Sequence, residues 1–181
     1  MNRVNWNKAC FFHGHECPGL AIGVRAAEAA ADRLGVSSSP DEEIVCVTEN
    51  DACGVDAIQA ILGCTFGKGN LIYRGTGKMA FSFFHRESGR KVRAYFKAER
   101  SDGMAREAYM ERILSAPLDE LFTFSEPQFD LPEEARLFVS VTCAICGESA
   151  PEHKVRLQDG DNVCLDCFRS YNRFSTIETL D

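Results

Sequence analysis

The chain reads as an α+β core domain followed by a small four-cysteine zinc-finger domain of zinc-ribbon-like type. Three observations predict this. Helix, strand, helix, several strands and a further helix follow one another without the regular alternation of a doubly wound sheet. Two C-x2-C pairs, Cys143/Cys146 and Cys164/Cys167, stand near the end with seventeen residues between them. The 181 residues, 45% hydrophobic, suffice for one sizeable core and a short appendage. The expected domains are residues 1–135 and 136–181.

Pro18 to Leu34 opens the helical pattern. Proline suits the first turn, Gly35 suits the stop, and Leu20, Val24, Ala27, Ala31 and Leu34 share one face. Glu43 to Thr48 is β-branched and predicts a strand. Gly54 to Leu62 predicts a second helix ending at Gly63. Leu71 to Tyr73, Met79 to Phe84 and Val92 to Lys97 predict strands, the last two joined as a hairpin through E-S-G-R. Ser101 is placed to cap a helix running to Leu114, and Pro117 to Phe122 adds a helical turn. Pro127 to Glu134 is a linker to a strand over Arg136 to Val141. Arg169 to Phe174 is expected to form a short helix after the second cysteine pair.

The paired C-x2-C spacing is that of a zinc site. Two thiolates two residues apart grip one ion from a single tight turn. Cys143, Cys146, Cys164 and Cys167 together satisfy tetrahedral zinc and leave no open position. Such a site is structural. It states how the tail folds and little about what the chain does.

A second constellation lies near the N-terminus. F-F-H-G-H-E-C-P holds His13, His15 and Cys17 within five residues, and Cys17 sits directly before the helix that Pro18 starts. E-N-D-A-C-G-V-D places Cys53 at the start of the second helix. A helix N-terminus favours thiolate. If the two helix starts converge, His15, Cys17 and Cys53 become a metal or catalytic site, with His13 in a weaker position because H-G-H lets only one ring turn inward. Thiolate with imidazole suits zinc, nickel or iron, and three ligands leave an open position. Asn50, Asp51 and Asp56 are candidates to orient the ligands. The competing reading is that these cysteines are small buried hydrophobes.

Three separated motifs then occur in order: F-H-G-H-x-C-P-G-L-A-I-G, E-N-D-A-C-G-V-D-A-I-Q, and G-C-T-F-G-K-G-N-L followed by G-K-M-A-F. From about Phe12 to Phe84 they resemble the FmdE family, which takes its name from formylmethanofuran dehydrogenase. The closing cysteine pairs resemble the zinc-finger appendage that some members carry. The resemblance implies an α+β core, intertwined homodimers in two-domain members, and metal at the His/Cys motif. His15, Cys17 and Cys53 carry over as that site, with His13 beside them. The family is named for a molybdenum or tungsten enzyme of one-carbon units, so an accessory or oxidoreductase-linked role is implied. Catalysis by this chain is not.

The glycine loop G-K-G-N makes Lys68 the candidate contact for a small carboxylate or phosphate, ahead of Lys78. A tight turn with solvated lysines is the alternative. G-K-G is not a phosphate-binding P-loop, and no dinucleotide fingerprint occurs. Net charge is −7, and from Cys143 onward four Lys/Arg face seven Asp/Glu. Both argue against nucleic acid as partner and favour a protein partner for the finger. The first residues, M-N-R-V-N-W-N-K, lack an apolar signal core, and no apolar run reaches membrane length. The expected setting is cytoplasmic, where nine cysteines indicate metal or reactive thiols rather than disulfides.

Three functional readings stand. The chain is a metal-dependent accessory protein, an adaptor that docks through its finger, or a thiol enzyme with Cys17 or Cys53 as nucleophile and His15 as base.

Overall fold

The computed structural model describes residues 1–171 and 173. The chain forms two compact units, Met1–Ala135 and Arg136–Asp181. Unit 1 runs α1 (Arg3–His13), α2 (Pro18–Leu34), β1 (Ile44–Thr48), α3 (Gly54–Leu62), β2 (Leu71–Tyr73), β3 (Ala80–His85), β4 (Lys91–Phe96), α4 (Arg106–Ser115), α5 (Leu118–Leu121) and β5 (Phe122–Ser125). Its five strands lie in the order β2-β1-β3-β4-β5. Only β1 and β2 are parallel, because α3 carries the chain back between them. The remaining pairs are antiparallel.

One face of this sheet is covered by helices. Cys46, Phe81, Phe83, Val92, Ala94 and Phe122 point into a core shared with Leu20, Val24, Ile58 and Leu62. The alternation expected of strands puts Val45, Val47 and Phe84 on the other face. There a returning segment after β5 supplies the cover: the Phe129 ring lies 5.8 Å from that of Phe84. The Arg86 guanidinium donates to the Pro132 carbonyl at 2.9 Å and holds the segment in place.

The helix layer depends on a close approach of backbone to backbone. Gly23, in the middle of α2, crosses the start of α3 so tightly that a Cβ there would stand 2.1 Å from the Gly54 carbonyl oxygen. Gly54 in turn has Gly19 oxygen, Gly23 Cα and the Phe81 ring within 3.1–3.3 Å of where its Cβ would be. The glycines of P-G-L-A-I-G and C-G-V-D are therefore a packing device. Arg25 is buried on α2 and donates to the Ala116 carbonyl at 2.7 Å, tying α2 to the end of α4.

The first helix was not expected. α1 is capped by the Asn2 side chain, which accepts from Val4 N–H at 2.8 Å, and it ends at Gly14 in the left-handed region (φ 88°). It buries only Trp6 and Ala9, so its apolar period is faint in the sequence. The helix expected from Ser101 begins instead at Arg106. Residues 101–104 form a turn in which Met104 N–H reaches the Ser101 carbonyl at 3.1 Å, and Gly103 takes φ 74°. Arg100 holds the Met104 carbonyl and fixes that turn.

Unit 2 is two short hairpins: β6 (Ser140–Thr142) with β7 (Ser149–Pro151), and β8 (Val155–Gln158) with β9 (Asp161–Cys164). Asp159 and Gly160, at φ 53° and 92°, make the tight turn between β8 and β9. The strand expected over Arg136–Val141 is confined to Ser140–Thr142, since only these residues find a ladder partner. Residues 169–171 and 173 are not helical, contrary to expectation, and Asn172 and Phe174 lie outside the described residues. Among the described residues no helix is long and apolar enough to cross a membrane.

Substituting Gly23→Ala forces apart two backbones that no side-chain rotation can separate. The expected loss is about 3 kcal/mol or more in chemical denaturation. Gly89→Ala is the control. Its turn has φ 68° and open space around the Cβ position, so it costs only the left-handed penalty of about 1–2 kcal/mol. Equal losses would show that the glycine crossing is not a tight contact.

Candidate metal centre

Three helix ends meet at one corner of unit 1. His13 is the last residue of α1, Cys17 is the N-cap of α2, and Cys53 is the N-cap of α3. Cys17 takes the place a capping serine would fill. Its Sγ accepts from Leu20 N–H at 3.3 Å, and Pro18 occupies the first helical turn. Cys53 is delivered by a turn that Asn50 builds. Asn50 donates from Nδ2 to the Lys78 carbonyl (3.1 Å), accepts from Ala52 N–H (3.2 Å), and its carbonyl accepts from the Thr48 hydroxyl (2.6 Å). Asn50 is thus spent on the backbone. Asp51 is exposed and does not cap α3.

One donor atom from each of His13, Cys17 and Cys53 lies within 4.8 Å of the others. His13 Nδ1 contacts Asp56 Oδ2 at 2.7 Å, and Asp56 Oδ1 accepts from Gln59 Nε2 at 3.2 Å. A proton on Nδ1 shared with that carboxylate leaves the Nε2 lone pair aimed at the Cys17 sulfur, 3.8 Å away. This carboxylate–imidazole relay is the usual support of a metal-ligating histidine. Of Asn50, Asp51 and Asp56, weighed from sequence as possible orienting groups, Asp56 is the one that contacts His13. Its first-turn position on α3 is the signal.

His13 rather than His15 joins the sulfurs. Gly14 closes α1 in a left-handed turn, so His13 stays on the helix face that meets α3 while His15 passes into the exposed connection. The two rings lie 4.4 Å apart. The H-G-H spacing does let one ring inward, but the helix that decides which one was not visible in the sequence.

The Cys17 and Cys53 sulfurs are close neighbours. Burial raises the Cys53 thiol above its ordinary range, and the adjacent Cys17 sulfur raises it further. The helix N-terminus, expected to favour thiolate there, is outweighed. Gly19 leaves bare backbone beside both sulfurs. A Cβ there would stand 3.2 Å from Cys53 Cβ and 3.9 Å from Cys17 Sγ.

Lys68 does not reach this corner. Its ammonium donates to the Ser39 carbonyl at 2.7 Å and the Pro40 carbonyl at 3.3 Å, beside Gly63 at the far end of α3. Nine residues of helix, about 13 Å by helical rise, separate that end from Cys53. The remaining unit 1 cysteines are packing groups. Cys46 is fully buried, and burial pushes the Cys64 thiol up to about 12.

In unit 2, donor atoms of Cys143, Cys146, Cys164 and Cys167 lie within 4.8 Å of one another. Each pair sits in a tight turn. Gly147 N–H reaches the Cys143 carbonyl at 3.0 Å, and Phe168 N–H reaches that of Cys164 at 2.9 Å. The knuckles are joined by Ala144 N–H to the Asn162 carbonyl (2.9 Å). Backbone N–H groups of Cys146 and Cys164 lower the Cys143 thiol to about 6. Hydrogen bonding to Cys164 and burial hold Cys167 up at about 12. His153 stacks on Phe138, with ring centres 4.0 Å apart, and stays out of the cluster.

The family model described as FmdE, molybdenum formylmethanofuran dehydrogenase operon, matches residues 12–123. A model of the prokaryotic dksA/traR C4-type zinc finger matches residues 139–173. Among curated proteins, a probable S-adenosyl-L-methionine-binding protein of Archaeoglobus fulgidus is 31% identical over 192 residues, covering 88% of this chain. The chain spans 51% of that relative's length, about half. Among solved structures, a tungsten formylmethanofuran dehydrogenase FmdE-like protein from Syntrophus aciditrophicus superposes with a TM-score of 0.66 at 23% identity, covering 88% of each chain. That likeness establishes the α+β fold.

Because Cys53 holds its proton above the usual thiol range, an ion ligated by Cys53 would have to displace that proton throughout the neutral region. The expected affinity for such an ion rises with pH, by about tenfold per unit for each proton displaced. Competition against a chelator at pH 6, 7 and 8 measures it, and a flat profile would show that Cys53 is not a ligand.

Proposed function

Since the chain belongs to the FmdE family and adds a C4 zinc finger to that core, we propose that it is a metal-binding accessory protein. In this reading His13 Nε2, Cys17 Sγ and Cys53 Sγ hold a transition ion, and the four C-terminal cysteines hold structural zinc. The observation that carries the reading is the His13–Asp56 relay aimed at two sulfurs from separate helix starts. Two sulfurs and one imidazole select a borderline-soft ion such as zinc, nickel or iron. Such an ion, with three protein ligands, supplies an open position for Lewis-acid chemistry or for sensing a small ligand.

The chain's own residues prepare that position. Asp56 keeps the His13 proton on Nδ1 and the Nε2 lone pair free. Leu20 N–H donates to Cys17 Sγ and fixes the direction of the sulfur. Gly19 keeps the space beside both sulfurs clear of a side chain. The accessory role rests on the family's link to a one-carbon dehydrogenase, with the redox cofactor on the partner. A second copy of the chain belongs to the same proposal. Phe11 is 91% and Phe12 53% exposed on the last turn of α1, an apolar pair that a homodimer would cover.

A second reading, an adaptor that docks through its finger, is favoured by the surface of unit 2. Ile145 and Leu165, each between the cysteines of a knuckle, are 60% and 46% exposed, and Leu157 is 71% exposed. Deleting residues 142–181 then abolishes binding to a formylmethanofuran dehydrogenase-type enzyme while the core keeps its metal. Retained binding would assign the finger to structure alone.

Metal analysis of single variants tests the primary reading. Cys17→Ala, Cys53→Ala and His13→Ala each lower bound metal by one equivalent, and His15→Ala does not. Asp56→Asn keeps stoichiometry but weakens affinity about 10–100-fold. Wild-type stoichiometry in both cysteine variants would overturn the site.

A further inference from the structure

The helix-free face of the sheet in unit 1 carries a second, chemically different site. A cavity of about 230 Å³ opens there, lined by Glu49, Arg74, Thr76, Lys78, Arg93 and Phe129 among others. None of these residues belongs to the metal corner. Three cations and one carboxylate line it, within a chain whose net charge is −7.

The carboxylate is already committed. Glu49 is 4% exposed; its Oε1 accepts from Arg93 Nε at 2.6 Å and its Oε2 from the Thr76 hydroxyl at 2.9 Å. Burial would raise its carboxyl, but those two bonds and the charges of Arg93 and Lys78 carry it below the usual range. Glu49 is therefore ionised and spent on Arg93. Among the described residues no carboxylate pairs with Arg74 or Lys78. The Arg74 guanidinium lies over the Phe129 ring at 4.8 Å. Ser82, opposite Arg93 in the β3–β4 register, is fully buried and its hydroxyl has no partner among the described residues.

The loop that presents these cations is held at both ends. Arg74 N–H donates to the Thr48 carbonyl (2.8 Å) and Gly77 N–H to the Glu49 carbonyl (2.9 Å). The Lys78 carbonyl takes the Asn50 side chain at 3.1 Å. The backbone is thus set before any ligand arrives, which lowers the ordering cost of binding. Beside the cavity, and sharing Arg74 and Phe129 with it, lies an apolar recess of about 360 Å³ formed with Val47, Ile72, Tyr73 and Pro132.

We propose that this cavity binds a small organic oxyanion, a phosphate or carboxylate head on Arg74 and Lys78 with an apolar body in the recess. Glu49 and Arg93 form the floor that positions the head.

Calorimetric titration of the metal-loaded full chain with phenyl phosphate and with phenylmalonate, at matched ionic strength, tests this. Saturable binding of either is expected, and the preferred head distinguishes phosphate from carboxylate ligands. Arg74→Gln and Lys78→Gln, both at exposed positions, each weaken it by about fivefold or more. Cys17→Ser leaves it unchanged, which separates this site from the metal reading. Absence of saturable binding of both compounds, unaltered affinity in both cation variants, or loss confined to Cys17→Ser would overturn the proposal.

Discussion

The contact between the backbones of Gly23 and Gly54 sets the geometry on which the His13, Cys17 and Cys53 corner depends. Two helices that meet without side chains between them have little freedom to slide or rotate. α2 carries Cys17 at its first end, and α3 carries Cys53 at its own. Once the helices cross at those glycines, the two sulfurs are near neighbours. Gly19, one turn before Gly23, extends the bare strip to the sulfurs themselves. The same residues that permit close packing therefore keep the corner open to a third party.

The two sulfur sites share a ligand type and differ in construction. The finger brings four sulfurs together through two local turns, each closed by its own backbone hydrogen bonds. Its pattern is compressed into short sequence windows. The core corner gathers its donors from three helix ends, His13 and Cys17 close in sequence and Cys53 far beyond them, and the tertiary fold must bring Cys53 to the other two. A closed four-sulfur set suits permanence, while two sulfurs and one imidazole leave chemistry to spare.

This difference explains what could be read in advance. α2 and α3 were legible to the residue, because Pro18, Gly35 and Gly63 mark their ends and their apolar faces are strongly periodic. Both N-cap cysteines were visible for the same reason. α1 was not, since two buried residues in eleven leave almost no period. With α1 unseen, nothing could rank His13 above His15. Lys68 was singled out for its flanking glycines, yet its ammonium is used by the Ser39 and Pro40 carbonyls, contacts that no local pattern encodes. Arg74 and Arg93 carried no motif. They become neighbours only because β2 and β4 flank the same sheet face from opposite sides of β1 and β3.

The thinly buried α1 has a consequence for the corner it completes. Trp6 and Ala9 seat it on the core, Asn2 and Asn5 bond to Glu28 at its outer edge, and His13 bonds Asp56 of α3 at 2.7 Å. With so few buried residues, α1 relies on polar ties at its two ends. In the proposed site the histidine ligand is itself one of those ties. An ion held there would fasten the end of α1 as well as the two sulfurs, so ion binding at the corner would be coupled to the seating of the helix. The state of the corner would then bear on a surface helix that carries the exposed Phe11 and Phe12.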